Sequence, residues 1–235
     1  MYHVKKKGYF DMKKVLLSHS LLYIAISVFI GYFIGYDIEN DFFDLYAGKL
    51  LLLPVRYTLL LLIVAVSNLL GNVFMNSAIV VREKNFLNVF LECLKYEICV
   101  YAFIYIGLNI PVFVMNFEVA VTYFWDIFMM ILNAIVISVI CSSVIRFIDL
   151  HVKNRMMASC GFLIIFSIVD LVLDHFNFYI FKKNIFDLSY IFALPVVYNN
   201  YFVIAGFLVL FGFFLVFVIA RLACRKDYFL RNENT

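Results

Sequence analysis

Asn68, Asn72 and Asn76 recur at every fourth position of an apolar run. On a helix that spacing sets three amides along one face, with Ser67 and Gly71 beside them. An amide facing lipid has nothing to bond, so the stripe must face protein or a water-filled path. Two chemistries follow. One is hydrogen bonding that holds two helices together. The other is a polar lining for a translocation pathway or a dimer seam. Asn133, Ser138, Ser142 and Ser143, on a later apolar run, are candidate partners.

Two charges also stand inside apolar runs, Arg56 and Asp170. Arg56 falls roughly 9 Å in from one end of its run, at 1.5 Å per residue. Asp170 falls roughly 20 Å from the opposite side. In a hydrocarbon core about 30 Å thick the two depths coincide. An Arg56–Asp170 ion pair is therefore expected, with Asp174 or Asp126 as alternative acids and snorkelling of Arg56 to the interface as the simpler fate.

Enzyme chemistry has little to draw on. His3, His19, His151 and His175 are scattered over different segments and form no ligand set. The patterns G-x-S-x-G, H-E-x-x-H and G-x-x-x-x-G-K-[ST] are absent, so the chain has no P-loop for ATP. Asp170 and Asp174 share a helix face, but paired carboxylates in a membrane helix are more often structural or transport-related. Cys93, Cys99, Cys141, Cys160 and Cys224 are odd in number and lack C-x-x-C spacing, which argues against a disulfide framework or zinc site. No catalytic residue, metal or cofactor is expected in this chain.

The elements that must hold these residues follow from composition. Of 235 residues, 66% are hydrophobic and 15% charged. Soluble domains carry about 25% charged residues, and a chain this size has too little interior to hide so much apolar surface. The expected class is an all-α polytopic membrane protein forming one transmembrane domain over 1–235. Continuous apolar runs, rather than alternating ones of about 10 residues, exclude a barrel. Six spans are expected, at about 15–36, 50–75, 98–115, 123–145, 157–174 and 201–222. The first is too long for a signal h-region and has no small-residue cleavage site, so it is expected to stay in place.

Orientation follows from the basic residues. With the N-terminus cytoplasmic, 15 of the 19 Lys and Arg fall inside and 4 outside, while Asp37, Glu39, Asp41 and Asp44 fill the first outer loop. Both termini are then cytoplasmic. The net charge of +3 is small and points to no nucleic-acid partner.

Two connecting segments have helical periodicity. In 83–97, Phe86, Leu87, Phe90, Leu91 and Leu94 form an apolar face opposite Lys84, Asn88, Glu92 and Lys95. An amphipathic helix in the cytoplasmic interface is expected there, or a docking helix for a cytosolic partner. In 176–200, Phe178, Phe181, Ile185, Leu188 and Phe192 repeat at 3-4-3-4 spacing, which suggests a re-entrant or interfacial helical segment on the outer side. Its aromatic residues suit an interfacial belt.

This layout resembles the ABC-2-type permease subunits of ABC transporters. The local match is Val81-Arg82-Glu83-Lys84, followed by Phe86, Leu87 and Glu92, with Asn85 and Phe86 standing where the family usually has glycine. The resemblance implies a small bacterial exporter permease in the cytoplasmic membrane, carrying a peptide, lipid or antibiotic-like substrate, as antimicrobial-peptide immunity permeases do. It implies cytosolic ABC ATPase subunits that hold the ATP and Mg, and a second permease copy or a sister permease. Arg82, Glu83, Lys84, Leu87 and Leu91 would then lie on the ATPase-coupling helix, and Asn68, Asn72 and Asn76 near the pathway or dimer seam. A small solute carrier or substrate-binding membrane subunit is the alternative, and a membrane-embedded enzyme the third.

Overall fold

The computed structural model describes residues 2–36, 53–74, 86–152, 154–176, 210–212, 214, 217 and 218. Among these residues the chain is helical and contains no strand. The helices are α1 (Tyr2–Gly35), α2 (Leu53–Phe74), α3 (Phe86–Met115), the short α4 (Phe117–Thr122), α5 (Phe124–Val152) and α6 (Arg155–Phe176). Four of them contain stretches long and apolar enough to cross a membrane: Ser18–Gly35, Tyr57–Phe74, Phe90–Met115 and Ile127–Asp149. Arg155–Val169 is a shorter apolar stretch. The chain is a helical membrane-embedded protein. The expected sixth span at 201–222 and the outer segment at 176–200 lie almost wholly outside the described residues.

α3 differs from the sequence expectation. The segment 83–97 was expected to form a separate interfacial helix ahead of a span at 98–115. Instead Phe86–Met115 is one helix of 30 residues, about 45 Å long at 1.5 Å per residue. No Gly or Pro falls between Phe86 and Gly107 to break it. The buried face agrees with expectation at Phe90 and departs from it elsewhere. Phe90, Cys93 and Glu97 are buried, whereas Leu91, expected on the apolar face, is exposed. α1 likewise begins at Tyr2 rather than near residue 15, so the lysine-rich start is helical.

α1 and α3 share the most extensive interface. Small residues permit it. A Cβ on Gly31 would run into the Leu108 carbonyl oxygen, and one on Gly35 would come within 3.1 Å of the Val112 Cα. Gly107 leaves room in turn for the buried Ser27, whose hydroxyl donates to its own helix at the Ile24 carbonyl. Ser27, Gly31 and Gly35 are four residues apart, the small-residue spacing that lets membrane helices approach backbone to backbone. The pair runs parallel, and Asn116 beyond the end of α3 donates to the Gly35 carbonyl at 3.0 Å, satisfying an acceptor of the last α1 turn.

α5 and α6 are joined by Lys153 and Asn154 alone. Asn154 caps α6 by accepting from the Met156 and Met157 amides. The two ends of the bundle differ. One bears exposed Tyr32, Phe33, Tyr36, Phe117, Phe124 and Trp125, an aromatic rim suited to a membrane–water interface. The other bears Glu92, Lys95, Asp149 and Arg155.

Candidate functional site

A polar seam runs through the core between α3 and α5. On α3 its members are Cys93, Glu97, Tyr101 and Tyr105, each four residues after the last, so they stack on one face. On α5 they are Ser138, Ser142 and Arg146, again four apart. Because α3 and α5 are antiparallel, one register pairs all three. Glu97 meets Arg146, Tyr101 meets Ser142, and Tyr105 meets Ser138. Glu97 to Tyr105 covers about 12 Å along the helix axis.

The charged rung lies toward the bundle end that carries Asp149 and Arg155. Arg146 Nη2 donates to Glu97 Oε1 at 2.5 Å, and Glu97 has no exposed surface. The same nitrogen lies 3.2 Å from Cys93 Sγ, and the guanidinium sits 5.5 Å from the centre of the Phe90 ring. An ion pair of this kind is tolerable within apolar helices because each charge cancels the other's desolvation cost in part. The cancellation is incomplete. Glu97 Oε2 and Arg146 Nε and Nη1 are buried with no hydrogen-bond partner among the described residues. Ser67 and Ser143 hydroxyls are in the same condition.

The hydroxyl rungs are better satisfied. Tyr101 and Ser142 hydroxyls are 2.5 Å apart, and the Tyr101 hydroxyl also reaches the Ile63 carbonyl of α2 at 3.3 Å. Tyr101 therefore ties three helices together. Tyr105 and Ser138 hydroxyls are 2.7 Å apart, and Ser138 donates back to the Ala134 carbonyl at 2.8 Å. One turn further along α3, Asn109 donates to the Tyr105 carbonyl.

A second polar contact joins α2 to α6. The Ser159 hydroxyl lies 3.0 Å from Asn68 Oδ1 and 2.9 Å from the Arg155 carbonyl, so its one hydrogen serves two acceptors. Arg155 Nη1 donates to Asn72 Oδ1, and Arg155 Nε stands 3.5 Å from Asp149. Two of the three expected amides thus bond a neighbouring helix. Their partners are Arg155 and Ser159 on α6, not the candidate Asn133, Ser138, Ser142 and Ser143 of α5. Ser138 and Ser142 are instead taken up by the two tyrosines, which present hydroxyls on the facing helix.

The other expected site residues fare unevenly. Arg56 is in α2 and Asp170 in α6, but both side chains lie outside the described residues, as do those of Asp126 and Asp174. Asn76, Arg82, Glu83 and Lys84 lie outside them altogether. Leu87 is in α3 with its side chain undescribed, and Leu91 is exposed. Sequence reasoning missed the Glu97–Arg146 pair. It assigned Glu97 to the end of an interfacial helix and Arg146 to a cytoplasmic loop. The signal was present in the four-residue spacing of Glu97, Tyr101 and Tyr105 against Ser138, Ser142 and Arg146.

No protein-family model, curated protein or solved structure matches this chain.

Proposed function

We propose that this chain is a membrane transport subunit, the permease of an ATP-driven exporter whose ATPase is a separate cytosolic protein. The observation that supports it is the unbroken course of α3. Its first turns adjoin the segment 81–84 that resembles an ABC-2 coupling motif, and its middle carries Glu97, Tyr101 and Tyr105. A continuous helix is stiff, so a push from an ATPase at its start is delivered to the buried seam as a shift of the whole rod. Arg82, Glu83, Lys84, Leu87 and Leu91 would receive that push. The absence of a nucleotide motif in the sequence agrees with an engine on another chain. A second permease, identical or a sister, would complete the pathway, with a peptide, lipid or antibiotic-like substrate, in a bacterial cytoplasmic membrane with both termini inside.

The test is co-purification with an ABC ATPase and measurement of its ATP hydrolysis. Stable association and a changed hydrolysis rate are expected. A chain that never associates and never alters the rate would exclude the reading. A Glu83 substitution that leaves transport intact would remove the coupling-segment assignment alone.

A second reading has its own support. The buried Glu97–Arg146 pair is the type of intramembrane charge found on ion and solute pathways. It favours a carrier that works without an ATPase, and substrate uptake by vesicles containing this chain alone would distinguish the two.

A further inference from the structure

We propose that Glu97 is a proton-exchange site, loaded at its free oxygen Oε2 from the bundle end that carries Asp149 and Arg155. The proposal starts from what the ion pair leaves open. A carboxylate and a guanidinium buried among apolar helices are often no more stable than hydrophobic residues of like volume, unless every remaining lone pair and hydrogen is satisfied. Here one carboxylate oxygen and two guanidinium nitrogens are buried and unmatched among the described residues. A pair built only for stability would close those valences. An oxygen held out of solvent with a lone pair that no donor meets is instead a place for a proton to land.

The chemistry is balanced within the site. A hydronium ion arriving from the bundle end that carries Asp149 and Arg155 gives its proton to Oε2 and leaves as water. A new O–H bond forms on the carboxyl group. Arg146 keeps its charge and its hydrogen bond to Oε1, and the pair changes from neutral to singly positive. Release is the reverse transfer. Ser142 and Tyr101, one turn further in, share a 2.5 Å hydrogen bond with each other, and the Tyr101 hydroxyl donates to the Ile63 carbonyl, so this rung closes the seam beyond the carboxyl group. The Tyr105–Ser138 rung continues the line of hydroxyls one turn further.

The charged and titratable groups around Glu97 come from every packed element. α3 itself contributes Cys93, Tyr101 and Tyr105. α5 contributes Arg146, with Asp149 about one turn beyond it, and α6 contributes Arg155, which faces Asp149. α1, parallel to α3, carries exposed His19 at about the same level. From α2 the Ile63 carbonyl, which is uncharged, reaches Tyr101. Arg146 is thus the cation in contact with Glu97, and Asp149 pairs with Arg155.

Infrared difference spectroscopy on the full chain in lipid vesicles tests this. On acidification, wild-type protein is expected to gain the carbonyl stretch of a buried protonated carboxyl group, and Glu97→Gln is expected to lose that band. Glu97→Gln keeps the shape of the side chain and an oxygen for Arg146, and the wild-type band needs no variant at all. A missing band in folded wild-type protein or a band that survives Glu97→Gln would overturn the proposal. The chain is used alone, so the outcome is independent of whether an ATPase drives transport.

Discussion

Glu97 and Arg146 meet at 2.5 Å with the carboxylate wholly buried, and they form the charged end of a seam whose other rungs are hydroxyl pairs. Removing either partner strands the other as an uncompensated charge. Glu97→Ala and Arg146→Ala are each expected to lower stability by about 3–5 kcal/mol. Replacing both together, Glu97→Leu with Arg146→Met, is expected to recover most of that loss. Unfolding in detergent, followed for the two single variants and the double, checks it. A double variant as unstable as the sum of the singles would show that the two charges are not coupled.

The tyrosine rungs are weaker and separable. Tyr105→Phe and Ser138→Ala each remove half of one neutral hydrogen bond without removing bulk. A double-mutant cycle is expected to give a coupling of about 0.5–1.5 kcal/mol, the range for interhelical hydrogen bonds in membranes. Coupling indistinguishable from zero would mean that the contact contributes geometry but no net stability.

Two glycines should respond in opposite directions. Gly31 is pressed against the Leu108 backbone, which cannot yield as a side-chain tip would. Gly31→Ala is expected to force α1 away from α3 and cost about 1–3 kcal/mol. At Gly161 a Cβ would enter open space, with nothing within 4 Å, and Gly161→Ala is expected to stabilise α6 by about 0.5–1 kcal/mol. Melting temperatures of the two variants, measured side by side, read both signs at once.

Arg56 and Asp170 remain a testable pair. Asn68 opposite Ser159 and Asn72 opposite Arg155 define an antiparallel register between α2 and α6. Continued along straight helices, that register brings position 56 level with position 171. Arg56→Asp and Asp170→Arg are each expected to reduce the yield of folded protein, and their combination is expected to restore it. If the combined exchange restores nothing, the two residues do not form an ion pair.

How far the sequence could be read depended on whether a residue's role was local. The bounds of α2 and α6 came close to expectation, at 53–74 against 50–75 and 155–176 against 157–174, because apolar length and helix ends are written in neighbouring residues. The four-residue spacing of Asn68 and Asn72 was legible for the same reason. Their partners were not, since spacing on one helix states which face is polar but not which helix covers it. Serines on α5 looked equally suitable until Tyr101 and Tyr105 claimed two of them.

Composition and periodicity alone determined that the chain is helical and embedded in a membrane, since a surface this apolar cannot meet water and a backbone in lipid must satisfy its own hydrogen bonds. Only the tertiary structure decided where α3 and α5 run on. A charge taken singly marks the end of an apolar span, because burying it costs several kcal/mol. Glu97 and Arg146 cancel part of that cost against each other, and so both helices carry their charges through the core instead of stopping short of them.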